Sequence, residues 1–205
     1  MELNIPVSKK IFLRTGFVVL VAAITFTFLQ KTAFAFVLDP WKWATNTVTY
    51  DPHLLPSTWI TIANDSKQPW NDATPSPFTF VRDDASANDL IWSLIDGDGR
   101  TQARVFQTCT PSPCAGGSTL VRATMQIDSN DTWHTNATCL PIPATRFDGR
   151  DVVTHEFGHM ATLRHSTCPA GPTMCGTSVR DGTSQSCARR TLQTDDLNGL
   201  NTQYP

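Results

Sequence analysis

The spacing of apolar and polar positions changes several times along the 205-residue chain, and each change predicts an element. Between Trp41 and Tyr50 the two kinds alternate loosely and end in "TVTY", a period-two pattern that predicts a strand. "PSTWITIANDSKQPWND" (56–72) reads as a long helix with Ser57 as its N-cap, which Pro69 must end or kink. Two short apolar runs bounded by turn residues follow, "FTFVRD" (78–83) and "DLIWSLID" (89–96), and both predict strands. A second pair, "ARVFQT" and "TLVRATMQID", flanks a Pro- and Gly-rich segment from Cys109 to Gly117 that reads as a disulfide-pinned loop. The total is about five strands, with no internal repeat and no long linker.

Helical periodicity then takes over. Val153, Phe157 and Met160 fall on one stripe, while His155 and His159 point roughly the opposite way at about 100° per residue. Asp148 is placed to cap this helix, and Asp151 falls in its first turn, where negative charge is favoured. Such a helix has a core side and a chemical side. "TDDLNGLNTQY" (194–204) reads as a short closing helix, with a Thr cap and two Asp at its start.

At the N-terminus, Lys9, Lys10 and Arg14 precede an apolar run of 14 residues, Gly16 to Leu29, and then Ala33-Phe34-Ala35. The run is shorter than the ~20 residues needed to span hydrocarbon. The order of basic, apolar and small residues is that of a signal peptide, with cleavage expected after Ala35. Residues 36–205 then form one secreted domain with no membrane contact after cleavage. They keep 12 basic and 17 acidic residues, a net charge of −5 that makes nucleic acid a poor partner. Six cysteines in an exported chain fit three disulfides, and none of the spacings is C-x-x-C. Of the 15 possible pairings, proximity favours Cys109 with Cys114 and Cys168 with Cys175, leaving Cys139 with Cys187.

The chain has five His and two Glu, and "DVVTHEFGHMATLRHST" (151–167) holds three and one of them. At this composition H-E-x-x-H should arise by chance roughly 0.001 times per chain. Two His four apart lie one turn apart on one helix face, so their imidazoles can converge on a zinc ion, and Glu156 can reach a water at that ion without being a ligand. A continuing helix would carry His165 about 9 Å beyond His159 and some 120° around the axis. For His165 to share the metal, the chain must bend between them, and a residue tolerant of positive φ would permit it.

The whole pattern, His155-Glu156-x-x-His159-x-x-x-x-x-His165, resembles the metzincin zinc-peptidase motif H-E-x-x-H-x-x-G-x-x-H, and "GPTMCGT" with Met174 resembles the Met-turn of that clan. The Gly position holds Thr162, a β-branched residue for which positive φ costs about 1–2 kcal/mol, so either the strain is tolerated or the turn differs. Within the clan the chain is most similar to the matrixins: "WATNTVTY" resembles their opening strand, "VVTHEFGHMATLRHS" their active-site helix and "LQTDDLNGLNTQY" their closing helix. "IDSNDTW" resembles the segment F-D-x-x-E-x-W through Ile127, Asp128, Asp131 and Trp133, whose acidic residues in the family help hold calcium, and "DGDG" (96–99) resembles another calcium loop. A calcium ion near Asp96, Asp128 and Asp131 is thus a possible second cofactor, although an ordinary Asp/Gly turn reads equally well. No His-rich segment for a second zinc is found, and His53 and His134 read as surface or hydrogen-bonded residues. No blocking pro-region precedes the domain either, so activity on folding is expected.

The resemblance implies an α+β fold of the zincin/metzincin type, with a mixed, roughly five-stranded twisted sheet, a long helix, an active-site helix and a short C-terminal helix. It also implies a secreted, monomeric zinc endopeptidase acting on protein or peptide: His155, His159 and His165 as ligands and Glu156 as general base. Alternative readings are a zinc-stabilised binding module without turnover and a zinc hydrolase of a non-protein substrate. The residue pair Arg189-Arg190 reads as solvated, and the sequons at Asn64, Asn130 and Asn136 decide nothing without a host.

Overall fold

Strand β7 (Thr119–Asp128) is the spine on which the other strands assemble. Its core-side residues Leu120, Ala123, Met125 and Ile127 are buried. On one side β6 (Ala103–Thr110) pairs antiparallel with it from Ala103↔Ile127 to Thr110↔Thr119, with an irregularity between Thr108 and Cys109. On the other side β2 (Lys42–Trp43) and β5 (Leu90–Ser93) pair with it in parallel. Strands β3 (Thr47–Tyr50) and β4 (Thr79–Arg82) form a parallel pair, joined to β5 by a bridge between Asp51 and Asp89. The order β4-β3-β5-β7-β6 is the expected mixed five-stranded sheet, and β6 is an edge among the described residues.

This computed structural model describes residues 36–96, 99–139, 141–166, 173–176 and 189–205. The expected signal peptide, residues 1–35, lies outside them. Ala35–Pro205 make one unit. No helix among the described residues is long and apolar enough to cross a membrane.

The expected long helix is two. Helix α1 (Ser57–Ser66) starts after Pro56, which takes the cap position given to Ser57, and it stops before Lys67. A one-turn helix α2 (Gln68–Asn71) restarts with Pro69 in its first turn, where a missing N–H costs nothing. Trp59, Ile62, Ala63 and Ser66 of α1 are buried at i, i+3, i+4 and i+7, the stripe that packs onto helix α3 (Gly149–Met160). Around Phe157 of α3 the core is aromatic: Tyr50 meets it edge-on at 5.3 Å between ring centroids and Phe80 at 4.8 Å. Two indoles fix α3 from outside, Trp70 donating to Thr154 O at 2.8 Å and Trp43 to Met160 O at 2.7 Å.

After α3 the chain turns into β10 (Leu163–Arg164), which pairs with β1 (Val37–Leu38). Helix α4 (Thr194–Gln203) closes the fold. Its cap is Gln193 rather than the expected Thr194: Gln193 and Asp196 satisfy each other's backbone N–H groups in a capping box. A two-residue pair, β8 (Trp133–His134) with β9 (Phe147–Asp148), leads into α3. The Cys109–Cys114 disulfide closes the loop as expected. Cys139 and Cys175 are disulfide-bonded too, while the pairings expected for them, with Cys187 and Cys168, lie outside the described residues.

Candidate metal centre

Asp148 caps α3, accepting from Arg150 N, and nearly the whole helix is buried, the exceptions being half-buried Arg150 and His159. A helix so enclosed has its side chains fixed before any ligand arrives. His155 and His159 leave one face, as the four-residue spacing requires. His155 Nδ1 lies 2.5 Å from Thr173 O and His159 Nδ1 lies 2.8 Å from Leu163 O. A carbonyl only accepts, so in both rings Nδ1 carries the hydrogen and Nε2 keeps its lone pair.

The bend needed to bring in His165 is present. Thr162, where the metzincin motif has Gly, has φ 64, so the left-handed turn forms and the β-branched residue bears it. His165 Nε2 then lies 3.2 Å from His155 Nε2 and 3.1 Å from His159 Nε2. Tetrahedral bonds of about 2.0–2.1 Å would hold their ligand atoms about 3.3 Å apart, so the spacing fits zinc. Among the described residues these three are the group able to hold a metal ion. Burial falls from His155 through His159 to exposed His165, which leaves the centre open on one side.

Electrostatics agrees with the geometry. Burial pushes His155 well below the ordinary imidazole value and His159 down to about 4, and it lowers His165 as well, so all three are neutral at neutral pH. Burial also pushes Glu156 up to about 8, against the pull of Arg189. Its Oε2 is buried without a hydrogen-bond partner. Three neutral imidazoles beside an unpartnered carboxyl oxygen suit a cation, whose charge would favour the carboxylate.

Glu156 and His165 line two adjoining cavities. The larger, about 660 Å³, runs along Ala103, Val105 and Gln107 of β6 and past His159 to Arg164. The smaller, about 160 Å³, is bounded by Val152, His155, Gly176 and Arg189. Beneath the histidines Met174 is buried against α3, and a Cβ on Gly158 would stand 2.1 Å from its sulfur.

This α+β frame, with its bend and its convergent histidines, has a counterpart among known families: the matrixin family model matches residues 42–205. The chain belongs to the matrixins. The family is one of zinc-dependent endopeptidases, and the mixed sheet with its helices is a metzincin-type catalytic domain. No curated protein matches the chain closely enough to add a named relative.

Against this matrixin frame several expectations shift. Arg189 and Arg190 are buried rather than solvated: Arg189 holds Asp151 through Nε at 2.9 Å and Nη2 at 2.6 Å, and Arg190 holds Asp148 at 2.6 and 2.9 Å. Both pairs grip the first turn of α3. Asp196, expected only as a helix-start charge, accepts through its carboxylate from Thr173 N at 2.9 Å and Met174 N at 3.0 Å, fixing the turn under the three histidines. No local pattern marks it, because these partners lie 23 and 22 residues back. His53 bonds Asp51 and His134 approaches Thr138 O at 3.2 Å, so neither joins the centre. The calcium expectation finds no support: Asp96, Asp128 and Asp131 do not come together as a metal-holding group among the described residues, and Asp128 accepts from the backbone N–H groups of Asp96 and Asn130 instead.

Proposed function

We propose that this matrixin is a secreted, monomeric endopeptidase in which His155, His159 and His165 hold one zinc ion and Glu156 is the general base. The supporting observation is the convergence of three Nε2 atoms beside the buried, unpartnered Oε2 of Glu156. Zinc, when bound, supplies Lewis acidity, acidifying water and polarising a carbonyl. Glu156 takes the proton of the attacking water and returns it to the leaving amine nitrogen. Nδ1 contacts to Thr173 O and Leu163 O orient two of the rings. The peptide lies extended in the larger cavity and pairs its backbone with the edge of β6 that no strand among the described residues takes, the other edge being held by β7. Signal-peptide removal after Ala35 would release the domain to the exterior.

The test is zinc content per chain together with casein digestion by residues 36–205. One zinc per chain is expected, with turnover lost in Glu156→Gln while the zinc stays. Zinc binding with no turnover in the wild type would favour a binding module, and equal digestion by wild type, Glu156→Gln and chelated protein would overturn the peptidase reading.

A further inference from the structure

Thr162 is fully buried at a φ of 64, a conformation that costs a β-branched residue about 1–2 kcal/mol. Something must hold it there. Its N–H donates to His159 O at 3.0 Å, and its carbonyl accepts from Asp39 N at 3.0 Å. The hydroxyl donates to Ala161 O at 2.6 Å and accepts from Gln203 Nε2 at 2.9 Å. With its one hydrogen so used, it can only accept from Tyr204 Oη, 3.1 Å away. Those partners are themselves anchored. Gln203 Nε2 also reaches Asp39 O at 3.2 Å and Trp41 O at 3.0 Å, and the Tyr204 ring packs on Phe78 at 4.3 Å.

We propose that the Thr162 hydroxyl is a positioning group for His165, through which the C-terminal Gln203 and Tyr204 hold the third histidine in register with the other two. The inference rests on the metal centre proposed above. His165 needs such help: His155 and His159 each have an Nδ1 contact to a backbone carbonyl, and no such contact is seen for His165 among the described residues. Its ring is exposed and rests on Gly176, and Ser166 N bonds Met174 O beyond it, so the bend at Thr162, three residues before, is the support on its other side. Glycine at 162 would relieve the φ cost but remove the oxygen to which the Tyr204 hydroxyl donates and one of the three acceptors of the Gln203 amide. Threonine exchanges an easy turn for a fastened one.

Zinc affinity by chelator competition, and the visible spectrum of the cobalt-substituted protein, separate a fastened turn from a merely tolerated one. Thr162→Val and Thr162→Gly are expected to weaken zinc binding roughly tenfold or more and to alter the cobalt bands, as loss of a supporting partner does at other metal sites. Thr162→Ser, which keeps the hydroxyl, should restore both. Tyr204→Phe leaves Thr162 in place and removes one partner, so a smaller loss in the same direction is expected, and it decides the matter should the valine variant fail to fold. Wild-type affinity and spectrum in both Thr162→Gly and Tyr204→Phe would overturn the proposal. A wild type that binds no zinc would instead remove the metal centre itself.

Discussion

Glu156 is a carboxyl group kept where ionisation is costly. Its value of about 8 in the fold stands well above the ordinary 4.5 that the unfolded chain would show. The metal-free folded state therefore binds this proton more tightly than the unfolded state, and the contribution of Glu156 to stability falls as pH rises from about 4.5 to about 8. Between pH 5 and pH 8 this one group should cost about 3 kcal/mol. Glu156→Gln cannot ionise. In chelated protein the variant should gain on the wild type steadily across that interval, with the two nearest to each other at pH 5. Denaturant melts of both proteins at a series of pH values check it, and a stability difference that stays constant with pH would show that Glu156 is not held protonated. The same burial that makes ionisation costly gives the carboxylate a high proton affinity, and a cation beside it would keep it ionised, so the proposed role of Glu156 and the stability of the fold oppose each other at this residue.

At the scale of elements, α3 shows how close packing and chemistry share one helix. Gly158 lies between the two histidines, and a Cβ there would meet Met174 Sδ at 2.1 Å and the Trp70 ring at 2.8 Å. The sulfur sits on a flexible side chain, but the indole is pinned by its bond to Thr154 O. Gly158→Ala should therefore destabilise by about 1–3 kcal/mol and weaken zinc binding as well, because the helix must move away from the turn beneath it. Guanidinium melts and chelator competition measure the two losses. This helix was also the most legible part of the sequence. Its cap at Asp148, its apolar stripe and its paired histidines are signals within one or two turns, and each survives in the fold. Strands β3 to β7 were legible for the same reason, since alternation is local. The bend at Thr162 could be required on geometric grounds but not guaranteed, because its support comes from Gln203 and Tyr204, 41 and 42 residues away. Arg189 and Arg190 looked solvated because their partners Asp151 and Asp148 lie 38 and 42 residues back, at no periodic spacing. The break in the long helix was visible in Pro69, although the helix stops earlier, at Ser66.

Across the whole molecule, the two ends of the described chain meet at the bend that carries His165. Val37 and Leu38 pair with Arg164 and Leu163, and Asp39 holds Arg164 at 3.0 Å. From the other end, Lys42 Nζ reaches Gln203 O at 3.2 Å, and Gly199 of α4 packs so tightly that a Cβ would stand 3.0 Å from Leu163. A cation held by residues 155, 159 and 165 would tie this junction to α3, whereas the β6–β7 pair is built by hydrogen bonds and core contacts that do not involve it. Metal removal should therefore loosen the molecule unevenly. Each tenfold rise in free zinc above its dissociation constant should add about 1.4 kcal/mol of stability, read as a climbing Tm. In hydrogen exchange on chelated protein, amides of β1, β10 and the last turn of α4 should lose protection first, while those of β7 keep theirs. Uniform loss across all strands would mean that the ion supports the whole core, and no loss at β1 and β10 would mean that the chain ends hold the junction without it.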